Sequence, residues 1–340
     1  MTEKTLDKQY IEINDTPQVE GLAFRKFRGE ADYPEMVELV NAANRFDEVD
    51  EQDNLEDFSH SYNNLKNCDP DKDILIAEVD GQMAAYARVW WRDIKDDGRV
   101  YYTYGRVHPD YRRQGIGTAM LKHNEARVKT IAAEHAYDGP RSLDSWYADT
   151  ETGTIAMLEK FGYKPQRYFF EMTRDLSQPI EERPMPEGIE TRPSTKEQYR
   201  QIWDGLEEAF RDHWGHPEDF GDDDFKRWAE HPRHKPELWK VGWEGDEVAG
   251  MVLNEVFEEE NKLLGRLWGW TDPICVRRPW RKRGLAKALI TESLVLFKDM
   301  GMSHAALGVD TQNPLGALGL YESLGFKTVK EWLSVRKPMD

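Results

Sequence analysis

Hydrophobic and polar positions follow the same order in two separate stretches of the chain. In each stretch a pair of short apolar runs flanks a turn, which is Asp80-Gly81 in the first and Gly245-Asp246 in the second. Such dipeptides between apolar runs predict β-hairpins. Helical periodicity follows from 118 to about 134 and again from 287 to about 300, so each hairpin is succeeded by a predicted helix.

These stretches belong to an internal repeat. The heptapeptide YRRQGIG at 111–117 matches WRKRGLA at 280–286 in chemical type at each position, and each lies between a predicted strand and a predicted helix. Further on, LEKFGY at 158–163 matches YESLGF at 321–326, and both are typical of a helix that ends at a glycine. Two matches in the same order, at nearly the same separation, indicate two copies of one domain.

A segment rich in proline and charge separates the two copies. Residues 179–188, PIEERPMPEG, carry no apolar periodicity, which is typical of a linker. We therefore predict a first domain at 1–178 and a second at 189–340, a division that suits a chain of 340 residues. The order of strands and helices in each copy predicts an α/β fold, in which a mixed, mostly antiparallel sheet is flanked by helices.

Composition and charge narrow the classes of partner. With 39% hydrophobic residues and 12 tryptophans each half can bury a core, and no apolar run approaches the roughly 20 residues of a membrane span. The formal net charge of −18 argues against nucleic acid or an anionic membrane as a partner and favours an amine-bearing one. The charged N-terminus lacks the apolar region of a secretory signal, so we expect a cytoplasmic protein, either a monomer or a weak homodimer.

Neither the cysteines nor the histidines predict a metal site or a disulfide. Cys68 and Cys275 lie one in each copy, without a second thiol nearby in sequence. His213, His216, His231 and His234 fit no standard zinc spacing, and we interpret them as part of a lid. The surrounding segment from 203 to 243 is rich in tryptophan and acidic residues, which favours a pocket for an aminated substrate.

The repeated glycine-rich turn suits the binding of an anion. Glycine lets the backbone come close to a ligand, and the first N–H groups of the following helix then converge on a phosphate. With this strand, turn and helix, both copies resemble the GCN5-related N-acetyltransferase superfamily, whose signature is Q/R-x-x-G-x-G/A, over about 22–174 and 189–339. The resemblance implies acetyl-CoA as the coenzyme, with its pyrophosphate on the turn and its pantetheine arm along the preceding strand.

The same resemblance implies coenzyme-binding residues in both copies. In the second copy they are Cys275, Val276, Arg281, Arg283, Gly284, Leu285, Ala286 and Lys287. In the first copy they are Arg106, Val107, Arg112, Arg113, Gln114, Gly115, Ile116, Gly117 and Thr118. The second copy continues with a run similar to the family's N-x-x-A-x-x-x-Y, which implies that Asn313 bonds the pantetheine arm and that Tyr321 protonates the departing thiolate. The alternative for Tyr321 is a core aromatic with its hydroxyl at the edge.

A base is also needed, because the attacking amine must lose a proton. Glu255, on a predicted strand, is the first candidate. Asp272, just before the strand that leads to the turn, is the second. For either residue the alternative is an ordinary solvated position in a strand or turn.

The first copy lacks the implied acid and the implied asparagine. Leu158 stands where Tyr321 stands in the second copy, and a threonine, Thr150 or Thr152, replaces Asn313. We therefore expect this copy to bind the coenzyme or to support the fold, with little or no transfer. The alternative is that a phenol comes from another position, namely Tyr147, Tyr163 or Tyr168.

The sequence thus predicts an acetyl-CoA-dependent N-acetyltransferase that acts on a primary amine of a small molecule, with the chemistry in the second copy. Two alternatives stay open: a non-catalytic acyl-CoA sensor or scaffold, and an aminoacyl or peptidyl transferase of the same fold. The presence of Asn313 and Tyr321 argues against the sensor. The acidic charge argues against a tRNA substrate.

Overall fold

The computed structural model describes residues 9–218 and 221–339, and these fall into two units. Unit 1 holds residues 9–166 together with 333–339, and unit 2 holds residues 167–332. Each unit contains one of the two predicted arrangements of strand, glycine-rich turn and helix. Unit 1 is discontinuous in sequence, since its final strand follows the whole of unit 2 in the chain.

Unit 1 is built on one sheet with helices on both faces. Its strands are β1 (Tyr10–Ile11), β2 (Leu22–Lys26), β3 (Ile74–Val79), β4 (Gln82–Ile94), β5 (Gly98–Val107), β6 (Arg141–Ala148), the first three residues of β7 (Lys164–Asp175) and residues 333–338 of β14 (Lys327–Pro338). Its helices are α1 (Tyr33–Phe46), α2 (Leu55–Asn63), α3 (Pro70–Asp73), α4 (Ile116–Glu134) and α5 (Thr152–Lys160), with 3₁₀ turns at Gly29–Asp32 and Pro109–Tyr111. Strands β1 to β5 pair in antiparallel order, whereas β5 and β6 are parallel.

Alternation along β4 and β5 decides which helices cover each face of this sheet. Tyr86 lies opposite Arg106 and packs with the apolar side chains of α1 and α2. Ala85, one residue earlier, lies opposite Val107, and both pack against Ile116 and other residues of α4. Because successive side chains of a strand point to opposite faces, α1 and α2 cover one face and α4 covers the other.

The unit 1 part of β14 lies beside β6 and is held there by charged side chains. Arg336 donates to both carboxylate oxygens of Asp144, at 2.9 Å each, and to Asp97 at 3.0 Å. Lys337 donates to Glu125 at 2.9 and 3.0 Å. Asp144 is buried, and a buried carboxylate is costly unless it is paired. The sheet of unit 1 therefore depends on a strand that is distant in sequence.

Unit 2 contains two sheets. The first consists of β8 (Glu190–Arg192), β9 (Lys240–Glu244), β10 (Glu247–Val252) and β12 (Ile274–Val276), all antiparallel. The second joins residues 169–175 of β7 to β13 (His304–Asp310), which runs parallel to β11 (Trp268–Trp270). The helices are α6 (Tyr199–Phe210), α7 (Asp222–Ala229), α8 (Glu258–Leu264), α9 (Leu285–Asp299) and α10 (Ala317–Glu322), with 3₁₀ turns at Lys196–Gln198, Pro236–Leu238 and Arg278–Trp280.

In each unit, a pair of neighbouring strands separates partway along its length. In unit 2, β11 pairs with β13 as far as Trp270, and the same run of chain then joins the other sheet as β12. Asp272 lies at this branch point. In unit 1, β5 and β6 pair as far as Tyr102 and Asp144 and diverge beyond them. We call these two gaps the unit 2 split and the unit 1 split.

The predicted architecture, a mixed sheet flanked by helices in each copy, is confirmed. The limits of the units differ from the predicted domain limits, because they fall inside β7 and β14 and not at 179–188. Ile180 and Met185 of that segment pack against the core of unit 2. A strand can be divided in this way when its two ends lie beside different neighbours. Among the described helices, none is both long and apolar enough to cross a membrane.

Candidate active site

The glycine-rich turn has the same backbone conformation in both units. Arg113 and Gly115 have positive φ angles of 64° and 88°, and Lys282 and Gly284 have φ angles of 63° and 89°. Each glycine is the residue before the first turn of a long helix, α4 or α9. Left-handed residues that alternate with ordinary ones turn successive N–H groups toward one side, and the helix N-terminus adds its own. Both turns can therefore cradle a pyrophosphate by backbone groups alone.

The first arginine of each turn is used inside the protein. Arg112 donates from Nε to the carbonyl of the last residue of β5 (3.1 Å) and from its two Nη atoms to Asp47 (2.6 and 2.8 Å). Arg281 donates from Nε to the carbonyl of the last residue of β12 (3.0 Å) and from Nη1 to Asp212 (3.0 Å). Asp47 and Asp212 follow α1 and α6, so each arginine braces its turn against a helix end.

Three other cations near the turns remain available to an anion. No hydrogen bond or ion pair joins the side chain of Arg113, Lys282 or Lys287 to another residue that the structure describes. Arg283, by contrast, donates to the carbonyl of Glu187 (3.0 Å) and to the carboxylate of Glu244 (3.4 Å). Of these, Lys282 was not among the predicted coenzyme residues, although its place in the repeat matches that of Arg113.

A cavity of about 470 Å³ opens within unit 1 beside its turn and its split. This volume lies within the range typical of small-molecule sites. Its walls include seven of the nine predicted residues of the first copy: Arg106, Val107, Arg112, Arg113, Gly115, Gly117 and Thr118. The other two do not contribute, because Ile116 is buried in the core and Gln114 is turned to solvent.

Asp272 stands at the unit 2 split in a position suited to a base. Its side chain is exposed to solvent, and the protein around the branch point still removes part of its hydration. This desolvation raises the pKa of Asp272 to about 6, and a hydrogen bond from the N–H of Gly308 opposes the increase. A carboxylate with a pKa close to neutral can accept a proton near the working pH and release it again.

Tyr321 lies on α10, close enough to Asp272 to feel its charge. The ring is buried and packs edge-on against Phe326, with 6.1 Å between ring centroids. Burial, and then the negative charge of Asp272, raise the pKa of the Tyr321 phenol. The hydroxyl therefore keeps its proton at neutral pH and can serve as a donor. The structure thus brings together two of the three predicted catalytic residues.

Glu255, the third predicted catalytic residue, is held by its backbone. It exchanges two backbone hydrogen bonds with Trp270, at 2.9 and 2.8 Å, and its side chain is half-buried. Asp272 is the carboxylate whose charge raises the pKa of Tyr321. The geometry therefore favours Asp272 over Glu255 as the base.

The remaining predicted residues of the second copy fall into two groups. Asn313 lies in the turn after β13, where its Oδ1 accepts from the N–H of Leu315 (2.8 Å). Its Nδ2 has no partner among the described residues and can donate to a ligand. Cys275 and Leu285 are core residues, and burial raises the pKa of the Cys275 thiol to about 12. Val276 and Ala286 are partly buried beside them.

The corresponding positions of unit 1 are chemically different. Thr103 lies nine residues before Arg112, as Asp272 lies before Arg281, and its hydroxyl accepts from Asn124 (2.9 Å). Leu158 is buried where unit 2 has Tyr321. None of the alternative phenols, Tyr147, Tyr163 or Tyr168, is among the residues that line the unit 1 cavity. The structure thus gives no support to a phenol supplied from another position.

The aromatic segment 203–243 forms part of the core and not the expected open pocket. Trp228 stacks on Trp239 at 5.7 Å and contacts His234 at 4.7 Å between ring centroids. Trp203, Trp239 and Trp243 are buried, because their rings fill the space between α6, α7 and the first sheet. No group of three or more possible metal ligands occurs among the described residues.

One feature of unit 2 was not predicted. Arg167 donates to both carboxylate oxygens of Asp310 (2.8 and 2.6 Å), and its guanidinium lies 5.0 Å from the centre of the Trp214 ring. Phe169 also packs near Trp214, at 6.1 Å. The loop after α6 is therefore fixed over the end of β13. The contact between Arg167 and Asp310 could not be predicted, because Arg167 lies inside the predicted first domain.

Two family models match the chain, one in each half. The model described as Acetyltransferase (GNAT) family matches residues 199–326, and the model described as Acetyltransferase (GNAT) domain matches residues 70–165. These ranges contain the turns at 280–286 and 111–117, respectively. The comparison agrees with the two copies seen in the sequence and in the fold.

Relatives and solved structures extend the similarity over most of the chain. A mycothiol acetyltransferase of Salinispora arenicola is 28% identical over 312 residues, which cover 87% of this chain and 91% of the relative. A solved GCN5-related N-acetyltransferase of Sphaerobacter thermophilus has a TM-score of 0.69 and 26% identity, covering 94% of this chain and 96% of its own. A tandem GNAT protein of the clavulanic acid biosynthesis pathway, at 13% identity and a TM-score of 0.64 over 93% of this chain and 98% of its own, shows the fold alone.

Proposed function

Because the chain belongs to the GNAT acetyltransferase family, with one such domain in each half, we propose that unit 2 transfers the acetyl group of acetyl-CoA to a primary amine of a small molecule. The observation that carries this proposal is the presence of Asp272 and Tyr321 together at the unit 2 split. One is a carboxylate poised to take a proton, and the other is a phenol that retains one. Unit 1 offers neither.

The chain's own groups fit the coenzyme at three places. The turn 281–284 offers converging N–H groups to the pyrophosphate, and Lys282 and Lys287 offer positive charge beside it. The free Nδ2 of Asn313 offers a donor to the amide groups of the pantetheine arm. Acetyl-CoA, once bound, supplies the activated acetyl group as a thioester.

Asp272 and Tyr321 act on the two protons that the reaction must move. Asp272 accepts the proton of the ammonium group, because only a neutral amine has a lone pair for attack on the carbonyl carbon. As the new C–N bond forms and the C–S bond breaks, Tyr321 donates its proton to the sulfur, and the second proton of the nitrogen passes to the phenolate and restores the phenol. The raised pKa of Asp272 and that of Tyr321 suit these opposite tasks.

The acceptor is proposed from the relatives. Because similar proteins are named mycothiol acetyltransferase, the amine that is acetylated to give mycothiol is the first acceptor to test. Trp214, which Arg167 and Phe169 hold over the end of β13, is the side chain we propose to contact it. We further propose that unit 1 holds CoA in its cavity without transferring an acetyl group.

Thiol release from acetyl-CoA across a panel of small amines tests this function. We expect release with at least one amine, and loss of that release when Asp272→Asn and Tyr321→Phe are combined. Binding of acetyl-CoA without release for any amine would support the sensor or scaffold instead. Release that survives in the double variant and disappears with Gly115→Glu would place the chemistry in unit 1.

A further inference from the structure

A buried ion pair stands behind the wall of the unit 1 cavity, which Arg106 lines and to which Glu151 is joined through Arg106. Arg106 Nη2 donates to Glu151 Oε1 at 3.0 Å, and the two side chains are only 8% and 1% exposed. The Arg106 guanidinium also lies 4.8 Å from the centre of the Tyr104 ring. Breaking such a pair leaves an uncompensated charge in the interior, so the contact stays closed.

The pair joins the two strands beyond the point where they separate. β5 and β6 pair only as far as Tyr102 and Asp144. Arg106 lies past that point on β5, and Glu151 follows the end of β6, immediately before α5. The ion pair therefore crosses the unit 1 split, through which the reacting end of a bound molecule would have to be reached.

The pair lies on the α1 and α2 face of the sheet. Arg106 is opposite Tyr86 in the β4–β5 ladder, and side chains of directly opposed residues share one face. Tyr86 packs among the side chains of α1 and α2. Val107, the next residue, points to the other face and packs against α4, where the turn with Gly115 begins the helix. Arg106 and the residues of the turn both line the cavity.

The unit 2 split is not bridged in this way. Cys275 occupies the position of Arg106 in the repeat, and it is a small, buried thiol. Among the described residues of unit 2, no ion pair joins β12 to the turn that follows β13. The charged residue at the end of β13, Asp310, is instead paired with Arg167 on β7.

We infer that the Arg106–Glu151 pair seals the unit 1 split on the α1 and α2 face, so that the sulfur end of a CoA molecule held in unit 1 is shielded from amines and from solvent. This inference rests on the proposed binding of CoA by unit 1. A reactive acceptor that approaches from the α1 and α2 face meets the ion pair before it reaches the CoA sulfur.

Accessibility of the thiol of bound CoA tests this inference. The protein carries Gly284→Glu, which disables the turn of unit 2, and is saturated with CoA; an aromatic disulfide reagent then reports the rate at which the CoA thiol reacts. The two cysteines of the chain give a slow background, because burial raises the pKa of both Cys68 and Cys275 to about 12 and only thiolates react. The protein without CoA measures that background.

We expect the bound thiol to react at least roughly tenfold more slowly than free CoA, and to approach the rate of free CoA when Arg106→Ala and Glu151→Ala are combined. Removing both charges avoids leaving one of them buried alone. The matched control is Arg127→Ala with Asp73→Ala, which removes a 2.8 Å ion pair of unit 1 that lies outside the cavity wall. If the alanine pair does not fold, Arg106→Thr with Glu151→Gln takes its place.

Calorimetric titration of CoA into the same proteins distinguishes failure of the proposed CoA binding from failure of the proposed shielding. If the Gly284→Glu protein does not bind CoA, the proposed role of unit 1 and the shielding both fall. If it binds CoA but the thiol reacts as fast as free CoA, or if the double variant protects the thiol as well as the parent does, the shielding alone is overturned. Equal exposure of the thiol in the Arg127 and Asp73 control would also overturn it.

Discussion

The two splits adjoin turns of the same backbone conformation, but they contain different side chains. Both follow a turn with left-handed residues at the same positions, and both turns are braced by an arginine that pairs with a carboxylate after a helix. The unit 2 split holds Asp272 and Tyr321 and is crossed by no ion pair of the described residues. The unit 1 split holds Thr103 and Leu158 and is crossed by a buried ion pair.

We therefore expect coenzyme binding and catalysis to depend on different parts of the domain. The anion site is made by backbone N–H groups, so it survives most side-chain substitutions. In the proposed mechanism the chemistry depends on a few side chains at the branch point, each of which a single substitution removes. One copy of the domain can therefore lose its reaction and keep its pocket.

The largest expected effect is the loss of the base. Asp272→Asn keeps the shape of the side chain but cannot take a proton from the amine, so we expect kcat/KM to fall by about 10³-fold. Thr103→Val makes the matched change in unit 1 and should leave the rate unchanged. Steady-state thiol release measures both. A larger loss from Thr103→Val than from Asp272→Asn would reverse the roles of the two splits.

The second effect concerns the acid. Tyr321→Phe removes the proton donor for the thiolate, and we expect kcat to fall by roughly 10²-fold while the Kd for acetyl-CoA changes little. Tyr163→Phe, at another buried tyrosine, is the control in unit 1. Single-turnover kinetics with calorimetry separates chemistry from binding. Unchanged turnover at saturating substrate in Tyr321→Phe would remove this residue from the mechanism.

The third effect is a pH dependence that unit 2 alone should show. Partial desolvation at the branch point raises the pKa of Asp272 to about 6, so the carboxylate is charged above that pH and becomes protonated below it. Only the charged form accepts a proton, and kcat/KM should therefore fall about tenfold for each pH unit below the pKa. The pH profile of the parent and of Glu255→Gln should share this inflection. A profile whose acidic limb shifts in Glu255→Gln would point to Glu255 as the base.

The smallest effect tests the charges around the turn. Lys287 has no partner among the described residues, and we expect Lys287→Ala to weaken coenzyme binding by unit 2 roughly tenfold, the loss of one charge-assisted hydrogen bond. The protein carries Gly115→Glu so that calorimetry reports unit 2 only. Lys262→Ala, on α8 of the same unit, is the control. Equal weakening by both variants would mean that overall charge, and not a contact at the turn, is responsible.

The fold and the turns could be predicted from sequence because they depend on local patterns. Apolar periodicity, turn dipeptides and the repeated heptapeptide each specify nearby geometry, and the helices begin directly after Gly115 and Gly284. The bracing of Arg112 and Arg281 could not be predicted, since Asp47 and Asp212 are more than 60 residues away in the chain.

Two further features could not be predicted from the sequence for the same reason. The tryptophans of 203–243 suggested a pocket, but only tertiary packing decides whether aromatic side chains face a ligand or one another. The Arg106–Glu151 pair joins residues 45 apart, and the family resemblance implied the same coenzyme-binding role for Arg106 as for Cys275. Which side chains meet across a split depends on how the sheet opens, and no local pattern records that.

The place of residues 333–339 has a consequence for the order of events during synthesis. The ribosome releases the unit 1 segment 9–166 first, but the strand that pairs Arg336 with Asp144 emerges only after all of unit 2. Domains generally fold as they emerge, N-terminal parts first. Until then the first unit lacks the partner of Asp144. A chain that stops within unit 2 therefore also leaves unit 1 without its last strand.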